Sequence, residues 1–158
     1  MGVVSGHGFD LPVQPTVTAG AYSAGDIVGG LLTFSVAESN NSPVVVTGVE
    51  VAIKAAVTSA LKLVLFNANP SSTTTTDNAA YSLSASDVFK VETVIDFLAA
   101  NAVLTDHGTP NTYSVNGLSI VCSPDRETRA VYALLLDGTG WTLTSTSDIQ
   151  VRLRGVGA

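Results

Sequence analysis

The chain has 158 residues, which fits one domain with a sizeable core. Hydrophobic residues make up 46% and charged residues 13%, and the net charge is -6 with seven Lys and Arg in all; this disfavours a nucleic-acid role, which needs clustered cations. No run approaches the ~18 apolar residues of a membrane helix, and a lone Cys122 leaves no intrachain disulfide. The opening MGVVSGHGFD lacks the basic region and apolar core of a signal peptide, and Gly6 stands where a myristoylation motif wants a hydroxyl, so the expected setting is a reducing cytoplasm.

Residues 1–15 hold glycines, prolines and scattered apolar side chains without a sustained period. They read as an extended N-terminal arm ahead of a β-sandwich domain at 16–158. Phe9, Leu11 and Val13 are more apolar than a solvated tail requires and are the candidate partner-binding residues. Thr16–Ala19 is a candidate short edge strand. Tyr22–Asp26 reads as a turn and Ile27–Phe34 as a strand, in which Gly29-Gly30 predicts a bulge or a close backbone approach. That pair is not a phosphate cradle, because no GxxxxGK[ST] or GxGxxG surrounds it and no helix follows.

Ala37–Pro43 is a loop. In Val44–Val57, Val49, Val51 and Ile53 alternate with Glu50, Ala52 and Lys54, the period of a strand with one buried face. Thr58-Ser59 is short enough to turn the chain into Leu61–Phe66, so a hairpin over roughly 44–66 is expected. Leu61, Leu63 and Leu65 share one face of that second strand, and Asn67, Asn69 and Pro70 end it.

Asn67–Ala80 is a long polar loop with four consecutive threonines; loops of this length are usually functional or mobile. Ser84 or Ser86 ahead of Asp87, Val88 and Phe89 is an N-cap signal and predicts about one helical turn. Glu92–Phe97 alternates again, with Thr93, Ile95 and Phe97 as the expected core face. Leu98–Leu104 is a brief helical candidate, and Asp106–Asn111 (DHGTPN) a turn cluster. Tyr113–Cys122 reads as a strand broken at Asn116-Gly117, with Cys122 as a small buried hydrophobe. Ser123–Thr128 is an exposed turn. Ala130–Leu136 is apolar on both faces and therefore central. DGTG turns the chain into Trp141–Thr144, and Ile149, Val151 and Leu153 close the fold facing inward, with Arg152 and Arg154 outward. About eight short strands, one or two helical turns and frequent turn signals make an all-β, antiparallel β-sandwich, jelly-roll-like.

Candidate chemistry is sparse. Asp106-His107 suggests a triad with one of the serines, but adjacent side chains diverge in extended chain and no GxSxG elbow is present; the expectation is no catalytic site and no enzyme. Two distant histidines and one cysteine make no zinc set, and Asp77-Asn78 lacks the DxDxDG context of calcium loops, so no metal and no cofactor are expected. Trp141 fits either a carbohydrate-facing rim or the core.

The order AYSAGDIVGGLLTF, then a valine-rich hairpin ending LKLVLFNANPSSTTTTDNAAYSLSASDVFKVETVIDF, then AVYALLLDGTGWTLTSTSDIQVRLRGV resembles a family of small proteins that tailed bacteriophages encode near their structural genes. The resemblance covers roughly residues 21–156, and LFNANPSSTTTTDNAA is its most specific part. It implies a virion component, a capsid decoration (cement) protein with a jelly-roll-like fold, placed on the outer capsid surface and made in the host cytoplasm. The implied partners are the major capsid protein and further copies of the chain as a homo-oligomer, with no nucleic acid, membrane or small-molecule substrate. Two other expectations stay open: an adhesion or glycan-binding fibre module using the Thr-rich loop 71–78 and Trp141, and another non-enzymatic virion component such as a tail or connector protein.

Overall fold

Alternating apolar side chains form strands here because the two larger sheets have a shared core to face. The computed structural model describes residues 6–36, 42–54, 59–98, 102–105 and 109–157 (backbone only at 102–105 and 109–111). The strands are β1 (His7–Val13), β2 (Ala21–Tyr22), β3 (Ile27–Ser35), β4 (Val44–Ile53), β5 (Leu61–Phe66), β6 (Val91–Phe97), β7 (Ala102–Thr105), β8 (Thr109–Cys122), β9 (Ala130–Asp137), β10 (Trp141–Thr142) and β11 (Ile149–Gly157), with a 3-10 helix at Ala85–Lys90. One sheet has five strands in the order β1-β11-β4-β8-β7, the other four in the order β3-β9-β5-β6, and β10-β2 is a two-stranded ribbon. The chain is therefore all-β, with more strands than the expected eight, and every pairing is antiparallel.

The pairings are nested. β5 pairs with β6, β4 with β8, β3 with β9 and β1 with β11. Each pair encloses the previous one in sequence and lies in the opposite sheet. The expected hairpin over 44–66 is therefore corrected: β4 and β5 belong to different sheets. Both edges of β4 are taken by β11 and β8, and both edges of β5 by β9 and β6. Residues 55–58, which hold part of the expected turn, lie outside the described residues.

The main core lies between the two sheets. It takes Val28, Leu32 and Phe34 from β3, Leu61, Leu63 and Leu65 from β5 and Leu135 from β9, against Val49 and Val51 from β4 and Val151 and Leu153 from β11. Each such side chain, fully buried, contributes roughly 1.5–3 kcal/mol. Ile95 and Phe97 of β6 face this core, as alternation predicts, whereas Val94 points out. Trp141 packs partly buried against the same core.

A second cluster lies on the other side of the four-stranded sheet. Ile27, Val64, Phe66, Tyr132, Leu134 and Leu136 are buried there under Tyr81, Leu83 and Val91. Central β9 is buried at all positions from Ala130 to Asp137. The single buried face expected of β5 is thus a correction, since only Lys62 in that strand is exposed. The polar loop from Asn67 is not an excursion but the start of the cover over this second face.

Two glycine positions work as read. Gly29 and Gly30 have φ of 82° and 70° and sit at the register shift between Val28 and Leu31. A Cβ on Gly29 would lie 2.5 Å from Pro15 Cβ, so bulge and close approach coincide. Gly117, with φ 73°, falls where the β4–β8 register shifts.

Two local expectations fail. Thr16–Ala19 is not a strand, because its donors are taken by a loop and a carboxylate: Val17 N–H by Thr146 O at 3.1 Å and Thr18 N–H by Asp77 at 2.7 Å. The helical candidate at 98–104 gives way to β7 over Ala102–Thr105, since pairing along β8 outweighs local helix propensity. The cluster DHGTPN ends earlier than expected, with Thr109, Pro110 and Asn111 already in the backbone of β8.

Candidate functional site

Alternation along β1 decides where the candidate partner residues go. Phe9, Leu11 and Val13 share one side of the strand, are half-buried and pack against the main core, while Asp10 and Pro12 face out. The residues read as an arm are thus, from His7 to Val13, the edge strand of the five-stranded sheet, in register with β11 from His7↔Gly157 to Val13↔Val151. On the outer side of that sheet Asp10 lies 3.0 Å from Arg152 and 3.7 Å from Arg154, and Arg154 is 3.3 Å from Glu50. Arg152 and Arg154 are therefore part of a mixed-sign ladder across three strands.

The carboxylates that brace the loops were the residues sequence reasoning missed. Asp77 accepts from Thr18 N–H and Oγ1 at 2.7 Å each, from Tyr22 O–H at 2.9 Å and from Gly29 N–H at 2.6 Å. It ties the polar loop to the start of the domain and to the β3 bulge. Burial, reinforced by the Asp77 carboxylate, raises the Tyr22 phenol above its ordinary range. Asp87 accepts from Ser72 N–H at 2.9 Å and Thr73 Oγ1 at 2.8 Å, and its other oxygen lies 2.7 Å from Lys90 Nζ. The Lys90 hydrogen bond leads in holding that carboxyl below its ordinary value, against the opposing effect of burial. Ser84 caps the 3-10 helix as the sequence predicts, accepting from Ser86 N–H at 3.3 Å.

Asp148 and Asp137 hold the other loops. Burial acts to raise the Asp148 carboxyl, but donation from Thr144 N–H at 2.9 Å and Ser145 N–H at 2.8 Å outweighs it, and the net shift is downward. Ser59 Oγ donates to Asp137, which also accepts from Thr139 N–H at 3.1 Å, while Tyr113 O–H donates to the Ser59 carbonyl at 2.7 Å. This serine–carboxylate pair is buried between the strands. His7, the one histidine among the described residues, is exposed on β1. Asp106 and His107 lie outside the described residues.

Asp77-Asn78 makes a turn, with Asn78 at φ 57°, and among the described residues no group of three or more His, Cys, Asp or Glu is placed to hold a metal ion. Cys122 is fully buried, and burial, with the nearby Glu92 charge, pushes its thiol up to about 12. Trp141 is half-buried, its ring centroid 6.4 Å from that of Tyr22. A depression of about 380 Å³ lies where β4 ends and β11 begins, lined by Gln14, Lys54, Thr112, Ser147, Asp148 and Gln150. Its polar groups are engaged with one another: Lys54 Nζ donates to Ser147 Oγ at 3.3 Å and Gln14 Nε2 to Ser147 O at 3.1 Å.

Exposed apolar side chains fall in two groups. Val121 and Val156 flank Val45 on the five-stranded sheet, while Val88, Phe89, at 93%, Val94 and Leu98 lie on the 3-10 helix, along β6 and just after it. The N-cap reading placed Val88 and Phe89 in this turn; that the turn would present them to solvent depends on Asp87 being the residue it buries. No helix among the described residues is long and apolar enough to cross a membrane. Comparison with known proteins returns neither a matching family model nor a matching curated protein.

Proposed function

We propose that this protein is a structural, non-enzymatic component of a tailed-bacteriophage virion. In this reading it decorates the outer capsid surface, binds the major capsid protein as an oligomer, and stabilises the shell. The strand order carries the reading. Leaving aside β7 and the β2–β10 ribbon, β1-β11-β4-β8 faces β3-β9-β5-β6, with the nested pairs described above. We read that order as a jelly roll, a rolled-up antiparallel ribbon of eight strands, an architecture found in viral capsid proteins and in lectins. This is support by analogy of fold, and it agrees with the bacteriophage resemblance of residues 21–156.

Two further observations favour the virion role within that class. The carboxylates of half-buried Asp77 and of buried Asp87, Asp137 and Asp148 each accept hydrogen bonds from loop donors, so these acidic groups serve to brace the scaffold. Trp141, the residue that motivated a glycan-binding module, is half-buried and packs against Tyr22 and the core. Decoration also suits a chain with only 13% charged residues, because many copies on a symmetric shell turn modest contacts into strong avidity. The test is to add the purified protein to capsids stripped of it. Binding with a rise in capsid melting temperature is expected; failure to bind any capsid surface overturns the proposal.

A further inference from the structure

We infer that Asn116-Gly117 is a modification site, at which the folded protein closes a succinimide ring and converts Asn116 to aspartate and isoaspartate. The inference is independent of the virion reading, because the reaction needs no partner.

The chemistry is intramolecular. The backbone nitrogen of Gly117 attacks Cγ of the Asn116 side chain, and the new N–Cγ bond closes a five-membered ring. The bond from Cγ to the side-chain nitrogen breaks, and ammonia leaves with the proton that the Gly117 amide gives up. Water then opens the ring at one of its two carbonyls. Opening at Cγ yields aspartate. Opening at the main-chain carbonyl yields isoaspartate, whose backbone runs through Cβ and Cγ. Asparagine is thermolabile, and a following glycine favours this route because no Cβ crowds the attacking nitrogen. Every other asparagine of the chain is followed by a residue with a side chain. The ring also requires a side chain that can turn back on the chain and a glycine amide outside the ladder.

β8 meets both requirements at its bulge. Asn116 and Gly117 are exposed. The β4–β8 register passes from Val46↔Ile120 to Gly48↔Asn116, so Gly117, Leu118 and Ser119 stand opposite Thr47 alone. On the other side, β7 pairs along β8 only as far as Tyr113. Gly117 has φ 73°, and a Cβ built on it would meet nothing within 4 Å, so the bulge stands clear of its neighbours. Asn116 Oδ1 leans over Gly48, 3.0 Å from where a Cβ would stand, and that glycine has no side chain to pin the amide.

Asp137-Gly138 is the internal contrast. Aspartate before glycine closes the same ring with loss of water, and the sequence offers this dipeptide as readily as the other. Here the fold withholds it. Asp137 is buried and accepts from Ser59 Oγ and from Thr139 N–H at 3.1 Å, while Gly138 N–H donates to Ala60 O at 2.8 Å. A Cβ on Gly138 would lie 2.5 Å from Ala60 O, which leaves this backbone no room to turn.

Conversion adds a negative charge to the outer face of the five-stranded sheet, in the cross-strand row Asp10, Arg154, Gly48 and Asn116. The extra backbone methylene of isoaspartate falls at a register shift, where the ladder already carries unpaired residues.

The experiment incubates folded full-length protein at mildly alkaline pH beside a sample unfolded in denaturant. Peptides are mapped by mass spectrometry, with fragmentation that separates isoaspartate from aspartate. In the folded protein a growing mass gain at residue 116, carried by both products, is expected, with Asp137 unmodified until the chain is unfolded. Gly117→Ala should slow the conversion several-fold; Ala is strained at φ 73°, so its fold is checked by melting. Asn116→Gln, which keeps the glycine and would have to close a larger ring, should lose the mass gain. An Asn116 that stays intact in the folded protein while the unfolded chain converts overturns the inference. Isomerisation of Asp137 in the folded protein as fast as conversion of Asn116 overturns it too, because the fold would then select nothing. A mass gain that persists in Asn116→Gln means direct hydrolysis and overturns the ring route.

Discussion

The ring of Phe9 lies over Gly155, its cross-strand partner in the β1–β11 register. A Cβ at Gly155 would fall 2.5 Å from Phe9 Cζ and would also meet the Val45 carbonyl oxygen. The glycine is what lets the aromatic of the first strand close down on the last, and the bulge between Arg154 and Gly155 adjoins this spot. Gly155→Ala is therefore expected to destabilise the domain by about 1–3 kcal/mol, as over-packing does. Adding Phe9→Ala should recover only part of the loss, because the Val45 carbonyl is backbone and cannot swing aside. Thermal melting of the two single variants and the double variant checks this; full recovery would show that the ring is the sole obstacle.

The second hydrophobic cluster predicts that the Asn67–Lys90 region depends on β5. Phe66 is fully buried on the face covered by Tyr81 and Leu83. Phe66→Ala should cost about 3–5 kcal/mol and speed amide exchange through residues 71–83, whereas Leu63→Ala, on the inner face, should cost stability without singling out that segment. Equal exchange changes in both variants would mean that the loop does not act as a cover.

Acid should loosen the braces. Asp87, Asp125 and Asp148 have carboxyls held below the ordinary value of 3.8. For Asp125 the leading cause is the Thr128 N–H, which donates at 3.0 Å. In the window between the lowered folded values and 3.8 the unfolded chain binds more protons, so stability rises with pH there. The contribution is fully present above 3.8 and is lost as pH falls through the folded values. Denaturant melts from pH 6 down to about pH 2 should show a falling midpoint in the acid range. Asp87→Asn should flatten the part of that slope due to Asp87; an unchanged slope would refute its role.

Cys122 should be inert in the folded state. Its side chain is buried and its thiol is pushed up to about 12, and only the thiolate reacts. Labelling with a thiol reagent at pH 8 should follow global unfolding, accelerating with denaturant. Rapid native-state labelling would show that the end of β8 opens on its own.

How much of this was legible in the chain depends on the range of the interaction concerned. Period two in Val49–Ile53, Leu61–Leu65, Thr93–Phe97 and Ile149–Leu153 identified strands and their inner faces, because alternation is a local property of extended backbone. Gly29-Gly30, Asn116-Gly117 and the Ser84 cap were readable for the same reason: each meets a backbone need within a few residues. The all-β class follows from these elements together.

Which strands pair was decided only by the tertiary structure. Val44–Ile53 and Leu61–Phe66 are adjacent in sequence, yet each finds its neighbours far along the chain, since ladder bonds are indifferent to sequence distance. The outer cover over Phe66 and Val64, the Asp77 and Asp87 braces, and the exposure of Phe89 likewise depend on donors and apolar faces contributed by other segments. The sequence by itself determined the local periodicity and the turns of this protein; the closing of remote edges and faces determined the nested order, the second core and the surface left open.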